Sequence, residues 1–163
     1  MKLESQAFTH NSSIPAKYTC DGGNLIPPLT ISDVPAGTKS LALIMDDPDI
    51  PDFVKKSRGI EIFVHWVIFN MPAVQAGMPP RTIQIEEGIA PAGVQGANSA
   101  GENKYTGPCP PDKEHRYFFR IFALGKVLEL QAGATKAEVE HAMEGAIIEK
   151  TELIGIYNRQ QNL

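Results

Sequence analysis

The residues best suited to chemistry sit at the ends of apolar runs or inside them. Asp47 and Asp49 flank Pro48, His65 stands alone in a hydrophobic stretch, and His115 and Tyr117 lie two apart. Proline fixes its own φ and biases the residue before it toward extended backbone, so both carboxylates can project from one face. Residues two apart on a strand share a face, which puts His115 beside Tyr117. If the strands carrying these groups are neighbours, their polar side chains converge into a small pocket for a polar ligand. Each group also has a plainer reading. Asp-Pro-Asp is a common turn, and a buried histidine is more often satisfied by a backbone carbonyl.

Two reactive alternatives use the same residues. A hydrolase would take Cys109 as nucleophile, His115 as base and Asp47 as the orienting carboxylate. Nothing in the sequence activates Cys109, and no Gly-x-Ser-x-Gly elbow is present. A metal could draw on His65, His115 and the aspartates, but no pair has helical ligand spacing. The expectation is therefore a non-catalytic binding site without metal or cofactor.

The elements that must position these groups read as strands. Phe63 to Asn70 is apolar at nearly every position, so it should be covered on both faces near the centre of the molecule. Simple alternation sends Phe63, His65, Val67 and Phe69 one way and Val64, Trp66 and Ile68 the other. Leu29–Ser32, Leu41–Met45, Ile83–Ile85, His115–Leu124 and Leu153–Tyr157 read as further strands. Asp52–Gly59 reads as a polar connector, and residues 88–104 as a long loop of the kind that often carries function. One helix is signalled. Thr135-Lys136-Ala137-Glu138 matches a capping box, and Val139, Ala142, Met143, Ala146 and Ile147 form one apolar stripe.

Composition bounds the rest. The 163 residues suggest one domain spanning 1–163, and 42% apolar with 21% charged residues fit an ordinary globular protein. Thirteen prolines and fourteen glycines imply many turns, as in a mainly β fold. The net charge of −4 and the absence of a basic run argue against nucleic-acid binding. No stretch reaches membrane-spanning length and no secretory h-region is visible, so a cytoplasmic protein without a transmembrane segment is expected.

Taken together, three motifs carry a resemblance. Asp47-Pro48-Asp49-Ile50-Pro51, His65-Trp66-Val67-Ile68-Phe69-Asn70-Met71-Pro72, and Tyr105-Thr106-Gly107-Pro108-Cys109-Pro110-Pro111 followed by His115-Arg116-Tyr117 occur in that order. They resemble the phosphatidylethanolamine-binding protein (Raf kinase inhibitor protein) family. Cys20-Asp21-Gly22, Pro27-Pro28-Leu29 and Gly96-Ala97-Asn98 resemble its bacterial branch, and the likeness runs from about Phe8 to Tyr157. The resemblance implies a central antiparallel sheet packed on a second, smaller sheet with a few short helices. It also implies a small anion pocket for phosphate-like groups, lined by Asp47, Asp49, His65, Pro111, His115 and Tyr117, with backbone from Gly107 and Cys109. The ligand would be a small phosphate-containing molecule or a phosphorylated protein, with a homodimer entertained. The competing function is a surface-mediated inhibitor of a kinase or protease with a vestigial pocket. Three departures stand out. Cys109 replaces the glycine of eukaryotic members, the segment 112–114 is short and charged, and the C-terminal extension of mammalian members is missing.

Two aspartates in an anion site need an explanation, because like charges a few Å apart repel by ~4 kcal/mol at an effective dielectric of 20. Either the carboxylates hold the histidines protonated, or one of them meets the ammonium of a zwitterion such as phosphoethanolamine. Cys20 and Cys109 lie in turn motifs of the family pattern. Bridged, they would close a loop of about 90 residues, worth ~4–5 kcal/mol in the chain-entropy model. Without an export signal, free thiols are the expectation.

Overall fold

The computed structural model describes residues 1–159. In chain order its strands are β1 (Lys2–Glu4), β2 (Ser12–Ser13), β3 (Leu29–Ser32), β4 (Ser40–Asp47), β5 (Phe63–Met71), β6 (Ile83–Ile85), β7 (Val94–Gln95), β8 (His115–Leu124) and β9 (Ile147–Tyr157). The helices are α1 (Asp52–Arg58) and α2 (Lys136–Met143). A six-stranded sheet runs β2-β9-β8-β4-β5-β7, and a three-stranded sheet runs β1-β3-β6. All pairings are antiparallel except β2 with β9.

Two cores cover the two faces of the large sheet. On one, Leu41, Leu43, Met45, Trp66, Ile68, Tyr117, Phe119 and Ile121 meet the small sheet and the N-terminal arm through Ile31, Ile83, Phe8 and Ile14. On the other, Ala42, Ile44, Val67, Phe69, Phe122 and Leu124 meet Val139 and Met143 of α2. Burial on both faces explains the nearly continuous apolar run of β5. The middle of the sheet is nevertheless the β8–β4 pair, while β5 lies beside the short edge strand β7.

Several local expectations give way to tertiary context. Asp52–Arg58 is a helix, not a connector. Pro51 stands at its N-cap, Asp52 in its first turn and Gly59 at its left-handed C-cap (φ 66°), and it buries no residue fully. Without a buried face it has no apolar period to detect. The capping box of α2 forms as expected, with Thr135 Oγ1 accepting from Glu138 N and Glu138 accepting from Thr135 N. The helix stops at Met143, however, and Gly145 (φ 75°) turns the chain, so Ile147 begins β9 instead of ending the helical stripe. β9 pairs with β8 from Ile147 to Tyr157, although residues 149–152 are polar and the first half of the strand is largely exposed.

Candidate functional site

His65 owes its position to a break in strand register. Met45 pairs with Trp66 and Asp46 pairs with Val64, so His65 is the extra residue of a β-bulge. A bulge re-aims side chains. Val64 therefore joins Val67 and Phe69 against the α2 side, contrary to simple alternation, and His65 turns toward Tyr117. Its ring centroid lies 5.2 Å from that of Tyr117, edge-on, and 4.8 Å from that of Phe63. The loop over residues 88–104 holds the bulge in place. Val64 N donates to Ser99 Oγ at 2.8 Å and Ser99 N donates to Val64 O at 2.8 Å. His65 Nδ1–H donates to the Thr106 carbonyl at 2.8 Å, and Thr106 N donates back to the His65 carbonyl at 3.0 Å. Burial pushes the His65 pKa down, against the opposing effects of that carbonyl and of Asp47. His65 is thus a neutral ring with its proton on Nδ1 and its lone pair on Nε2.

His115 has the opposite character. Its Nδ1 lies 2.7 Å from Asp47 Oδ2 and its Nε2 lies 2.7 Å from Asp112 Oδ1. Ionised carboxylates only accept, so both ring nitrogens carry hydrogen and the ring is an imidazolium. Burial opposes that charge, but the bonds and fields of Asp47 and Asp112 prevail and raise the pKa. Asp47 is itself pinned, since its Oδ1 accepts from Asp49 N at 2.7 Å across Pro48. Tyr117 stacks near His115 with centroids 6.4 Å apart. Its hydroxyl is buried and has no hydrogen-bond partner among the described residues. Burial keeps that phenol protonated.

The rim is a loop tied to the N-terminal arm. Gly107 N donates to Asn24 Oδ1 at 2.7 Å, Tyr105 Oη donates to the Tyr18 carbonyl at 2.7 Å, and Cys20 N donates to the Pro108 carbonyl at 3.1 Å. The approach is so close that a Cβ on Gly107 would lie 2.2 Å from the Tyr18 carbonyl oxygen. These contacts bring the Cα atoms of Cys20 and Cys109 to 5.5 Å, and the two form a disulfide. The free-thiol expectation is overturned, because the arm and the rim are neighbours by hydrogen bonding and the bridge needs no backbone distortion. With Cys109 oxidised, a hydrolase reading also loses its thiolate.

Around these groups lies a cavity of about 250 Å³. Residues 4–158 match the family model described as phosphatidylethanolamine-binding protein. The chain belongs to the phosphatidylethanolamine-binding protein family. A UPF0098 protein of Methanothermobacter thermautotrophicus is 46% identical over 165 residues, covering 98% of this chain and 99% of the relative. A UPF0098 protein of Chlamydia pneumoniae is 43% identical over 159 residues, with coverage of 98% and 99%. Among solved structures, the phosphatidylethanolamine-binding protein homologue CT736 of Chlamydia trachomatis superposes with TM-score 0.86 at 43% identity, covering 95% of each chain. E. coli YbcL, described as a new member of the mammalian PEBP family, gives TM-score 0.80 at 28% identity over 96% of each chain. The two-sheet, mainly β architecture is that of these family members.

Of the eight residues carried over from the family motifs, seven line this one cavity: Asp47, His65, Gly107, Cys109, Pro111, His115 and Tyr117. Asp49 does not. It accepts from Arg116 through the backbone N (2.9 Å), Nε (2.8 Å) and Nη2 (2.8 Å), and this guanidinium lowers its pKa. Asp49 therefore anchors the Asp-Pro-Asp turn to β8. Gly107 lines the wall, but its N–H is committed to Asn24 and is not a spare donor. Sequence reading missed Arg58, which lines the cavity from α1 and is held by a bond from Nη1 to the Ser99 carbonyl at 3.0 Å. It also missed Asp112. Neither lies in a family motif, and a helix without a buried face left Arg58 without a periodic signal. Among the described residues, no group of three or more His, Cys, Asp or Glu side chains converges as a metal would require. No helix among them is long and apolar enough to cross a membrane.

Proposed function

We propose that this protein is a non-catalytic binder of compact phosphate-bearing ligands, either a free phosphomonoester, a phospholipid headgroup or a phosphorylated side chain presented at the mouth of the cavity. The observation that carries the reading is convergence. Groups from β4, β5, the rim loop and β8, far apart in sequence, surround one cavity of about 250 Å³. Its wall holds the His115 imidazolium, its α1 side offers the Arg58 guanidinium, and the Tyr117 hydroxyl is a donor in want of an acceptor. Cation and donors suit a phosphate oxygen. The neutral His65 contributes an acceptor, which suits a monoprotonated phosphate or an ammonium tail. The two-histidine form of the anion mechanism is thereby reduced to one charged ring.

The disulfide bears on placement. Both cysteines are exposed, and an exposed bridge persists where the surroundings do not reduce it. This favours an oxidising compartment, or a cytoplasm that retains disulfides, over an ordinary reducing one.

Calorimetric titration with inorganic phosphate, phosphoethanolamine and ethanolamine tests the function. Both phosphate-bearing ligands should bind in the micromolar-to-millimolar range, roughly −4 to −8 kcal/mol, and ethanolamine should give no heat. Arg58→Gln should weaken both by roughly tenfold. Equal heats from ethanolamine and phosphoethanolamine would overturn the phosphate reading.

A further inference from the structure

Resting on that reading of the cavity, we propose that the Cys20–Cys109 disulfide is a redox switch on ligand affinity: a partner dithiol that opens it frees the rim and weakens binding of a phosphate-bearing ligand. Thr106, Gly107, Cys109, Pro110 and Pro111 form the rim side of the cavity, and the bridge fastens this side to the N-terminal arm. The two ends of the bridge are held differently. The arm is a fixed post, since Tyr18 and Thr19 beside Cys20 are buried and Tyr18 belongs to the core. The rim has fewer ties. Among the described residues, the hydrogen bonds joining it to the arm, at Tyr105, Gly107 and Pro108, all precede Cys109. Prolines have no N–H, so Cys109 carries the only backbone donor of the 108–111 stretch. The disulfide fastens that stretch covalently where backbone hydrogen bonding cannot.

Both cysteines are exposed, so a dithiol partner can reach them. A thiolate of the partner attacks one sulfur, forms a mixed disulfide and releases the other sulfur as a thiolate. The second thiolate of the partner then attacks the mixed disulfide. Two electrons and two protons pass to Cys20 and Cys109, which become thiols, and the partner leaves with a disulfide of its own. The hydrogen bonds before Cys109 do not take part in this exchange, and neither do His115 and Arg58. What is lost is the covalent tie at the mouth. A rim that is no longer preorganised must be ordered as the ligand enters, and affinity falls by that cost.

The test compares oxidised wild type, wild type reduced with dithiothreitol, and Cys20→Ser in dithiothreitol. Dithiothreitol is uncharged at neutral pH, so it does not compete for an anion site. Cys20 does not line the cavity, so Cys20→Ser opens the bridge without altering the wall. Inorganic phosphate is titrated by calorimetry, and amide hydrogen exchange is recorded without phosphate. Phosphate should bind about tenfold more weakly to both bridge-free forms than to oxidised wild type. The amides of Cys20 and Gly107, which bond Pro108 and Asn24 across the rim–arm contact, should exchange faster by about tenfold, while those of the β4–β8 pair stay protected. Removal of dithiothreitol in air should restore the affinity of wild type only. Unchanged affinity in the reduced, folded protein would overturn the proposal while leaving the anion cavity standing. So would resistance of the folded protein to dithiothreitol, or loss of β4–β8 protection on reduction, which would make the bridge a staple of the whole fold. Absence of phosphate binding by oxidised wild type would remove the cavity reading and this proposal together.

Discussion

Replacing Tyr117 by Phe should move stability and binding in opposite directions. The Tyr117 side chain is fully buried, and its hydroxyl is sealed from solvent without a partner among the described residues. An unsatisfied buried polar group costs about 1–3 kcal/mol, and removing the oxygen recovers part of this. The ring stays, with its neighbours His65 and His115, so no large cavity opens. We expect a gain of about 1 kcal/mol in the ligand-free protein, equivalent to a rise of roughly 2–4 °C in Tm for a domain of this size. In the phosphate complex the same oxygen would have been a donor. Its loss should cost about 0.5–1.5 kcal/mol of binding, or roughly two- to twelvefold in Kd. Thermal or urea unfolding of the free protein gives the first number and calorimetry the second. A fall in Tm of several degrees would show that the hydroxyl is satisfied in the free protein. Unchanged affinity would show that it does not face the ligand.

Three further perturbations address the frame around the site. Gly107→Ala places a methyl group 2.2 Å from the Tyr18 carbonyl oxygen and 2.5 Å from Asn24 Oδ1. It should destabilise by at least about 1–3 kcal/mol in urea titration, as overpacking of a tight contact does. Cysteines 20 and 109 close a loop with a sequence separation of 89, so Cys20→Ser/Cys109→Ser should lose up to about 4–5 kcal/mol. Alkylation of the unreduced, unfolded wild type should find no free thiol. The histidines should titrate on opposite sides of the ordinary value near ~6.5. His115, raised by its carboxylates, stabilises fully below the unfolded value and loses this as pH climbs through its folded value. His65, lowered by burial, stabilises above the unfolded value and loses this as pH falls through its folded one. Asp49 and Asp112, both lowered, add to the loss in acid. Stability against pH should therefore peak near neutrality and decline toward both pH 9 and pH 4, and histidine NMR titrations should assign the two midpoints.

The fold was legible where burial imposed a pattern. The apolar runs of β4, β5 and β8 announce strands covered on both sides, and the capping box of α2 marks its start to the residue. Illegible parts are those whose conformation is set by partners. α1 has no buried face, and the polar stretch of β9 is a strand because β8 lies beside it. The Asp-Pro-Asp turn, the His65 strand and the 105–117 segment pointed to the site through their motifs. Strict alternation nevertheless aimed His65 to the wrong side, because the bulge that re-aims it depends on the register with Met45 and Asp46. Likewise, the separate fates of the two histidines depend on long-range partners. Thr106 takes the proton of one, and Asp47 and Asp112 clasp the other.

Imidazole ¹⁵N spectra of His65 and His115, recorded at pH 7 with and without inorganic phosphate, test the central claim directly. His65 should be neutral with hydrogen on Nδ1, His115 should carry hydrogen on both nitrogens, and the His115 ring resonances should shift saturably as phosphate is added. A neutral His115, or phosphate shifts that leave both rings untouched, would contradict it.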